Sequence, residues 1–395
     1  MSHTAVLATA SPDSVGLCPD RLAHLDAALA AEVARGTLPG GVAMVARHGK
    51  VVHFSACGRR DPQRDESMRK DALFRIYSMT KPVVSVAVMR LVEQGRVLLP
   101  QPIAQWLPEF AALQVAVEAD GQTTLVPARP VTVHDLLRHT AGLTYQFMGT
   151  SAIHQQYGAA KLFGRGLDNA DFTQAPARLP LVRQPGTGWT YSHATDVLGR
   201  LVEVVTGQTL GEHLREVVLG PLGMDDTAFH VPPDQLHRLA EPFPVDPDTG
   251  APVRLFDVRT PPAQEMGGAG LVSTASDYAR FMEMMLSGGQ LGGVRLLSPR
   301  TVRLMTADHL GAIPVVGELL PPGHGFGLGF GVRLQHGLAP GAGSAGMYFW
   351  GGLSGTSFFI DPAEGLHAQL LIQQPGRREH FRSLFRELVY AALVD

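Results

Sequence analysis

Residues 74–95 read FRIYSMTKPVVSVAVMRLVEQG. The stretch predicts a helix from Ser78 to Gln94. Pro82 falls in its first turn, where a missing N–H costs no bond, and Gly95 supplies the stop. The body of the helix is apolar nearly all round, so it belongs inside a core. Ser78 and Lys81 stand at i and i+3, on one face of the first turn. The helix N-terminus adds partial positive charge and free N–H groups beside the hydroxyl. A serine hydroxyl is a weak nucleophile until a base takes its proton, and a desolvated lysine can be that base.

Lysine is rare here. It occurs only at Lys50, Lys70, Lys81 and Lys161, and the other cations are arginine. Where arginine is the default cation, a lysine marks work that requires losing a proton, or else a chance surface position. Ser67-Met68-Arg69-Lys70 repeats the Ser-x-x-Lys spacing inside DPQRDESMRK, charged loop sequence that leaves both side chains solvated. Taken alone, the Ser78 pattern fits a nucleophile–base pair and an N-cap serine beside a solvated lysine equally well.

Outward from this helix the chain divides by pattern. Residues 19–36 predict a helix with Leu22, Leu25, Leu29 and Val33 on one face and Gly36 as its stop. Gly41–Ala46 and Val51–Ala56, separated by His48-Gly49, predict a hairpin. Thr132-Val-His-Asp135 is a capping box opening a short helix. Residues 146–185 predict a long loop of the kind that shapes binding sites. Residues 193–206 and 209–218 predict amphipathic helices. In the last third, Ser276 is placed as the cap of a helix over DYARFMEMML, and GFGLGFGV (325–332) as one strand. A hairpin follows, with strands 357–360 and 366–373, and then a final helix over 378–393. This order predicts an α+β fold: an antiparallel sheet flanked by helices, with a helical lobe inserted between its halves. The boundaries expected are residues 1–105 with 261–395 for the α/β domain and 106–260 for a mainly helical domain.

Two further patterns carry chemistry. Tyr191-Ser192-His193 follows the turn-rich PGTGWT and opens the 193–206 helix. A tyrosine at such a junction is a packing aromatic, or a proton carrier if an ammonium lies near. Trp350-Gly351-Gly352 follows Tyr348 and Phe349. Its glycines permit a bulge, or a ligand close to the strand backbone.

In this order, Ser-x-x-Lys, Tyr-Ser-x and Trp-Gly-Gly resemble the family VIII carboxylesterases of the class C β-lactamase and penicillin-binding serine hydrolase superfamily. The resemblance extends through FRIYSMTKP (74–82), DLLRHTAGLTY (135–145), PGTGWTYS (185–192), PLGMDDTAF (221–229) and GGAGLVSTASDYARF (267–281) to the 350–362 strand. It implies a β-lactamase/transpeptidase-like fold with the active site between the two lobes. It also implies that Ser78 is acylated, that Lys81 and Tyr191 share general-base and general-acid duty, and that the N–H groups of Ser78 and Leu353 form an oxyanion hole. Trp350, Gly351, Gly352 and His193 would line the substrate pocket. The β-lactamase branch has Asn where His193 stands and a cation where Trp350 stands. Both departures favour a neutral ester over an anionic β-lactam.

Other chemistries lack their motifs. There is no Gly-x-Ser-x-Gly elbow and no His-Glu-x-x-His among the 16 histidines, and the glycines around 325–331 do not form a Gly-x-Gly-x-x-Gly, so neither cofactor nor metal is expected. His134 and His139 read as residues that shape the fold, and Asp135 as a cap. A net charge of −3 offers no footprint for nucleic acid or an anionic membrane. No apolar run reaches the roughly 18–20 residues of a membrane span. Two cysteines exclude a disulfide scaffold. The first twenty residues lack a basic and an apolar region in signal-peptide order, which predicts a cytoplasmic protein. The expected partner is a small-molecule ester. Three readings stand beside a serine esterase: an acyltransferase on the same scaffold, a β-lactamase or D-aminopeptidase-type hydrolase, and a non-catalytic binding homologue.

Overall fold

Strand Gly40–Arg47 is buried along its whole length, and its side chains alternate between two cores. Ala43 and Val45 pack with Leu22, Leu25 and Leu29 of helix Pro19–Ala34 and with Phe381, Phe385 and Val389 of helix Arg378–Ala391. Val42 and Met44 face the opposite way. They join Val83, Val84 and Val88 of helix Thr80–Glu93 and Phe281 and Met282 of helix Ala275–Leu286. Helices therefore cover both faces, which is why this strand is apolar at successive positions rather than alternately.

The computed structural model describes residues 7–119, 122–163, 166–315, 317 and 319–394. Across the main sheet the strands run Ala8–Thr9, Lys50–Asp61, Gly40–Arg47, Leu366–Ile372, Ser357–Asp361, Tyr348–Gly351, Gly331–Arg333 and His324–Phe326, with Glu66–Ser67 beside Lys50–Asp61. The sheet is antiparallel except at one edge, where Ala8–Thr9 runs parallel to Lys50 and Val51. The first hairpin and the C-terminal hairpin thus meet at the middle of the sheet. Between them the chain leaves to build the helical elements, whose helix Ala194–Thr206 packs on Thr80–Glu93.

Several elements differ from expectation. GFGLGFGV is a tight reversal between strands His324–Phe326 and Gly331–Arg333. Gly329 turns the chain at φ 98°, and Gly327 N–H donates to the Phe330 carbonyl. The cap of helix Ala275–Leu286 is Thr274, not Ser276, because the Thr274 hydroxyl accepts the Asp277 N–H. Within 146–185 lie helices Ala152–Ala159 and Asn169–Gln174, the latter capped by Asp168. Residues 106–260 also include a hairpin, Gln114–Ala119 with Gln122–Pro127. The 209–218 helix holds as Leu210–Leu214 and then widens to a π-turn over Arg215–Leu219. The capping box at Thr132 and Asp135 is present as expected. No helix among the described residues is long and apolar enough to cross a membrane.

Candidate active site

Ser78 lies in a 3₁₀ turn, Tyr77–Met79, that leads directly into helix Thr80–Glu93. Several bonds fix this turn. Ile76 N–H donates to Leu271 O, Leu271 N–H donates to the Thr80 hydroxyl, and the Tyr278 hydroxyl donates to Met79 O. Tyr77 adopts φ 45°, a left-handed conformation that costs a non-glycine residue about 1–3 kcal/mol. Its ring packs 4.9 Å from Phe256, and its hydroxyl accepts the Phe256 N–H. The backbone just before Ser78 is thus held in a conformation it would not adopt alone.

Lys81 is 1% exposed. Its ammonium has three donors, and three acceptors meet them: Gly268 O at 2.7 Å, the Tyr145 hydroxyl at 3.1 Å and Ser78 Oγ at 3.4 Å. The ammonium also sits over the ring of Tyr191, 4.6 Å from its centroid. Gly268 is itself anchored, since its N–H donates to Asp196 Oδ1 at 2.8 Å. A Cβ at Gly268 would stand 2.8 Å from the same carboxylate, so only glycine lets the two approach this closely.

Tyr191 and Trp350 form one wall. The indole N–H of Trp350 donates to the Tyr191 hydroxyl at 3.3 Å, with the rings 5.3 Å apart. His139 packs behind Tyr191 at 4.9 Å. It is fully buried, and burial, with the Lys81 charge adding to it, drives its basicity well below that of a free imidazole. His193 is equally buried, against Tyr145, Phe163 and Phe172. Its Nδ1 lies 3.1 Å from Asp196 Oδ2, and its Nε2 has no partner among the described residues. Burial lowers its pKa against the opposing pull of Asp196.

The turn after Trp350 is bound to the backbone that precedes Ser78. Ser354 donates to Arg75 O at 3.0 Å and Thr356 to Ile76 O at 3.3 Å. A Cβ at Gly352 would fall 2.4 Å from Ile76 O, so glycine is required there. Leu353, next in the chain, is 48% exposed. Its N–H has no acceptor among the described residues. Ser67, by contrast, stands on the short edge strand Glu66–Ser67 and is exposed. No group of three or more His, Cys, Asp or Glu among the described residues could hold a metal ion.

The family model described as Beta-lactamase matches residues 25–392. The chain belongs to the beta-lactamase family. Protein Rv1367c of Mycobacterium tuberculosis is 39% identical over 353 residues, covering 86% of each chain. Esterase EstB of Burkholderia gladioli is 35% identical over 397 residues, covering 93% of this chain and 95% of its own. Among solved structures, EstCE1, described as a hydrolase with promiscuous acyltransferase activity, superposes with a TM-score of 0.77 at 28% identity. That match covers 94% of this chain and 99% of EstCE1. The resemblance to the family VIII carboxylesterases is borne out, as is the β-lactamase/transpeptidase-like fold.

Tyr145 is the member of this cluster that motif reading missed. It ends the DLLRHTAGLTY block, and no spacing to Ser78 or Lys81 singles it out. Burial, with the charge of Asp196 adding to it, pushes its hydroxyl well above the usual tyrosine range, so it stays protonated. Asp135 caps the helix as expected and also pairs with Arg129 and Arg138. Burial alone would raise its pKa, but hydrogen bonds from Arg129 and Thr132 outweigh that and hold it at about 2.

Proposed function

We propose that the protein is a serine carboxylesterase that hydrolyses short-chain neutral esters through an acyl-enzyme on Ser78. The observation that carries this reading is the buried Lys81 amine, 3.4 Å from Ser78 Oγ, in a chain 35% identical to an esterase. When Lys81 is neutral, Gly268 O and the Tyr145 hydroxyl take its two N–H groups. The lone pair is then left facing Ser78. Ser78 Oγ attacks the ester carbonyl carbon and its proton passes to Lys81. The N–H groups of Ser78 and Leu353 receive the charge that develops on the carbonyl oxygen. Tyr191 and Lys81 return a proton to the leaving alkoxide, and water then attacks the acyl-enzyme by the same route in reverse. Trp350 with Gly351 and Gly352 lines the pocket, and His193 supports it from beneath. We place the site between an α/β domain of residues 1–105 and 261–395 and a mainly helical domain of 106–260.

Trp350 supports the ester over the β-lactam. Its large apolar face rewards a neutral group and leaves a carboxylate unpaired in a partly desolvated pocket. An acyltransferase reading draws support from EstCE1, since an alcohol reaching the same acyl-enzyme would replace water. Cys18 and Cys57 are both free thiols, which fits a cytoplasmic protein. The test is kcat/KM for a p-nitrophenyl ester and for a chromogenic cephalosporin on the wild-type protein. The ester should dominate, and equal or faster opening of the lactam would reject the proposal.

A further inference from the structure

Arg382 approaches the Trp-Gly-Gly segment from behind. It stands in helix Arg378–Ala391, and its Nη2 donates to the Gly352 carbonyl at 2.5 Å and lies 3.5 Å from Thr356 O. Its Nη1 pairs with Glu379 Oε1 at 2.7 Å. The same Gly352 carbonyl accepts the Gly355 N–H at 3.1 Å. Two donors, one of them charged, therefore converge on a single oxygen. The absence of a side chain at Gly351 makes this possible, because a Cβ there would fall 2.6 Å from Arg382 Nη2.

The Gly352 carbonyl and the Leu353 N–H are the two ends of one conjugated peptide unit. A charged donor on the oxygen draws electron density from the nitrogen, and the N–H becomes a stronger donor. It also fixes the plane of the peptide, and so the direction of the N–H. That N–H is the one left without an acceptor, on a turn that Ser354 and Thr356 tie to the backbone preceding Ser78. We propose that Arg382 is a positioning residue of the oxyanion hole, orienting and polarising the 352–353 peptide without touching the substrate. The proposal rests on the reading of Leu353 as an oxyanion donor.

The vibration of the bound carbonyl tests both and separates them. An aryl dimethylcarbamate with a ¹³C carbonyl would transfer its carbamoyl group to Ser78. The Oγ–C bond forms, the aryl C–O bond breaks, and the phenol leaves with the serine proton. Intact mass confirms the adduct, and infrared difference spectra compare it in native and unfolded protein. In the wild type the native carbonyl should vibrate at lower frequency than the unfolded one. No difference would overturn the oxyanion-hole reading itself. In Arg382→Met the lowering should shrink by half or more, while kcat for an aryl ester falls about tenfold or more and KM changes by less than about threefold. An undiminished lowering in the folded variant would overturn the role of Arg382. Should Arg382→Met fail to fold, Arg382→Lys must also shrink the lowering, because a lysine cannot reproduce the forked contact, and an unchanged frequency there counts against the proposal equally.

Discussion

The ammonium of Lys81 bonds the hydroxyl of Tyr145 at 3.1 Å, whereas it meets Tyr191 across the face of the ring. The two tyrosines therefore do different things to the same lysine. In the proposed mechanism Tyr145 fixes where its hydrogens point, and Tyr191 exchanges a proton with the leaving group. Tyr191→Phe should cut kcat by the ~10²–10⁴ of lost acid–base catalysis. Tyr145→Phe should cost on the order of tenfold, the worth of one buried hydrogen bond. Steady-state kinetics on both variants checks the ranking, and a Tyr145 variant more damaged than the Tyr191 variant would exchange the roles.

Lys81→Arg should be almost as inactive as Lys81→Ala. Arginine keeps the charge but does not give up its proton at accessible pH. Both variants should retain less than about 1% of wild-type kcat on an aryl ester, in line with the cost of losing a general base. Substantial turnover by the arginine variant would make Lys81 a fixed charge and nothing more.

Asp277 gives the fold a pH dependence that can be isolated. It is buried near the start of helix Ala275–Leu286, and one oxygen accepts both the Asp226 N–H and the Thr227 hydroxyl. Burial raises its pKa from 3.8 to about 6. A raised folded pKa means that the protonated form is favoured in the native state. The stability it contributes is complete below pH ~4 and is lost as pH rises through about 6. Asp277→Asn keeps an oxygen for both donors and cannot ionise. The variant should gain on the wild type by up to ~3 kcal/mol between pH 4 and 7, measured by urea unfolding. A stability difference that stays constant across that range would contradict this.

The parts of this molecule legible in the sequence are those fixed by short-range chemistry. Ser78 and Lys81 are three residues apart on one turn, so their encounter follows from helix geometry. The cap at Thr132 follows from its own hydroxyl and from Asp135. The Lys81–Tyr145 contact, by contrast, joins residues 64 apart, and Arg382 reaches Gly352 across 30. No periodicity encodes either pairing. The Gly325–Val332 run misled for a local reason: alternating glycine and apolar residues suit a strand until one glycine takes φ 98° and turns the chain back. The hairpin at 114–127 was hidden because its strands Gln114–Ala119 and Gln122–Pro127 are six residues each and Gln122–Pro127 is exposed along most of its length.

Trp350 should decide substrate charge. Trp350→Lys removes the indole N–H that holds the Tyr191 hydroxyl and introduces a cation, so kcat/KM for a neutral p-nitrophenyl ester should fall at least about tenfold. The new ammonium should improve binding of a β-lactam carboxylate by the ~1.5–3 kcal/mol of a charge-assisted contact. Competition by a cephalosporin against ester hydrolysis measures this. A variant with unchanged ester activity and unchanged cephalosporin inhibition would remove Trp350 from the pocket wall.

Covalent labelling most directly tests whether Ser78 is the acylated nucleophile. Wild-type protein, Ser78→Ala and Ser67→Ala would each be exposed to an aryl acetate and, separately, to a fluorophosphonate. Intact masses would then be recorded and the modified peptide sequenced. One adduct per chain should form on wild type and on Ser67→Ala, on the peptide carrying Ser78, and Ser78→Ala should remain unmodified and inactive while still folded. An adduct on any other residue of the wild type, or full labelling and turnover by Ser78→Ala, would contradict the account.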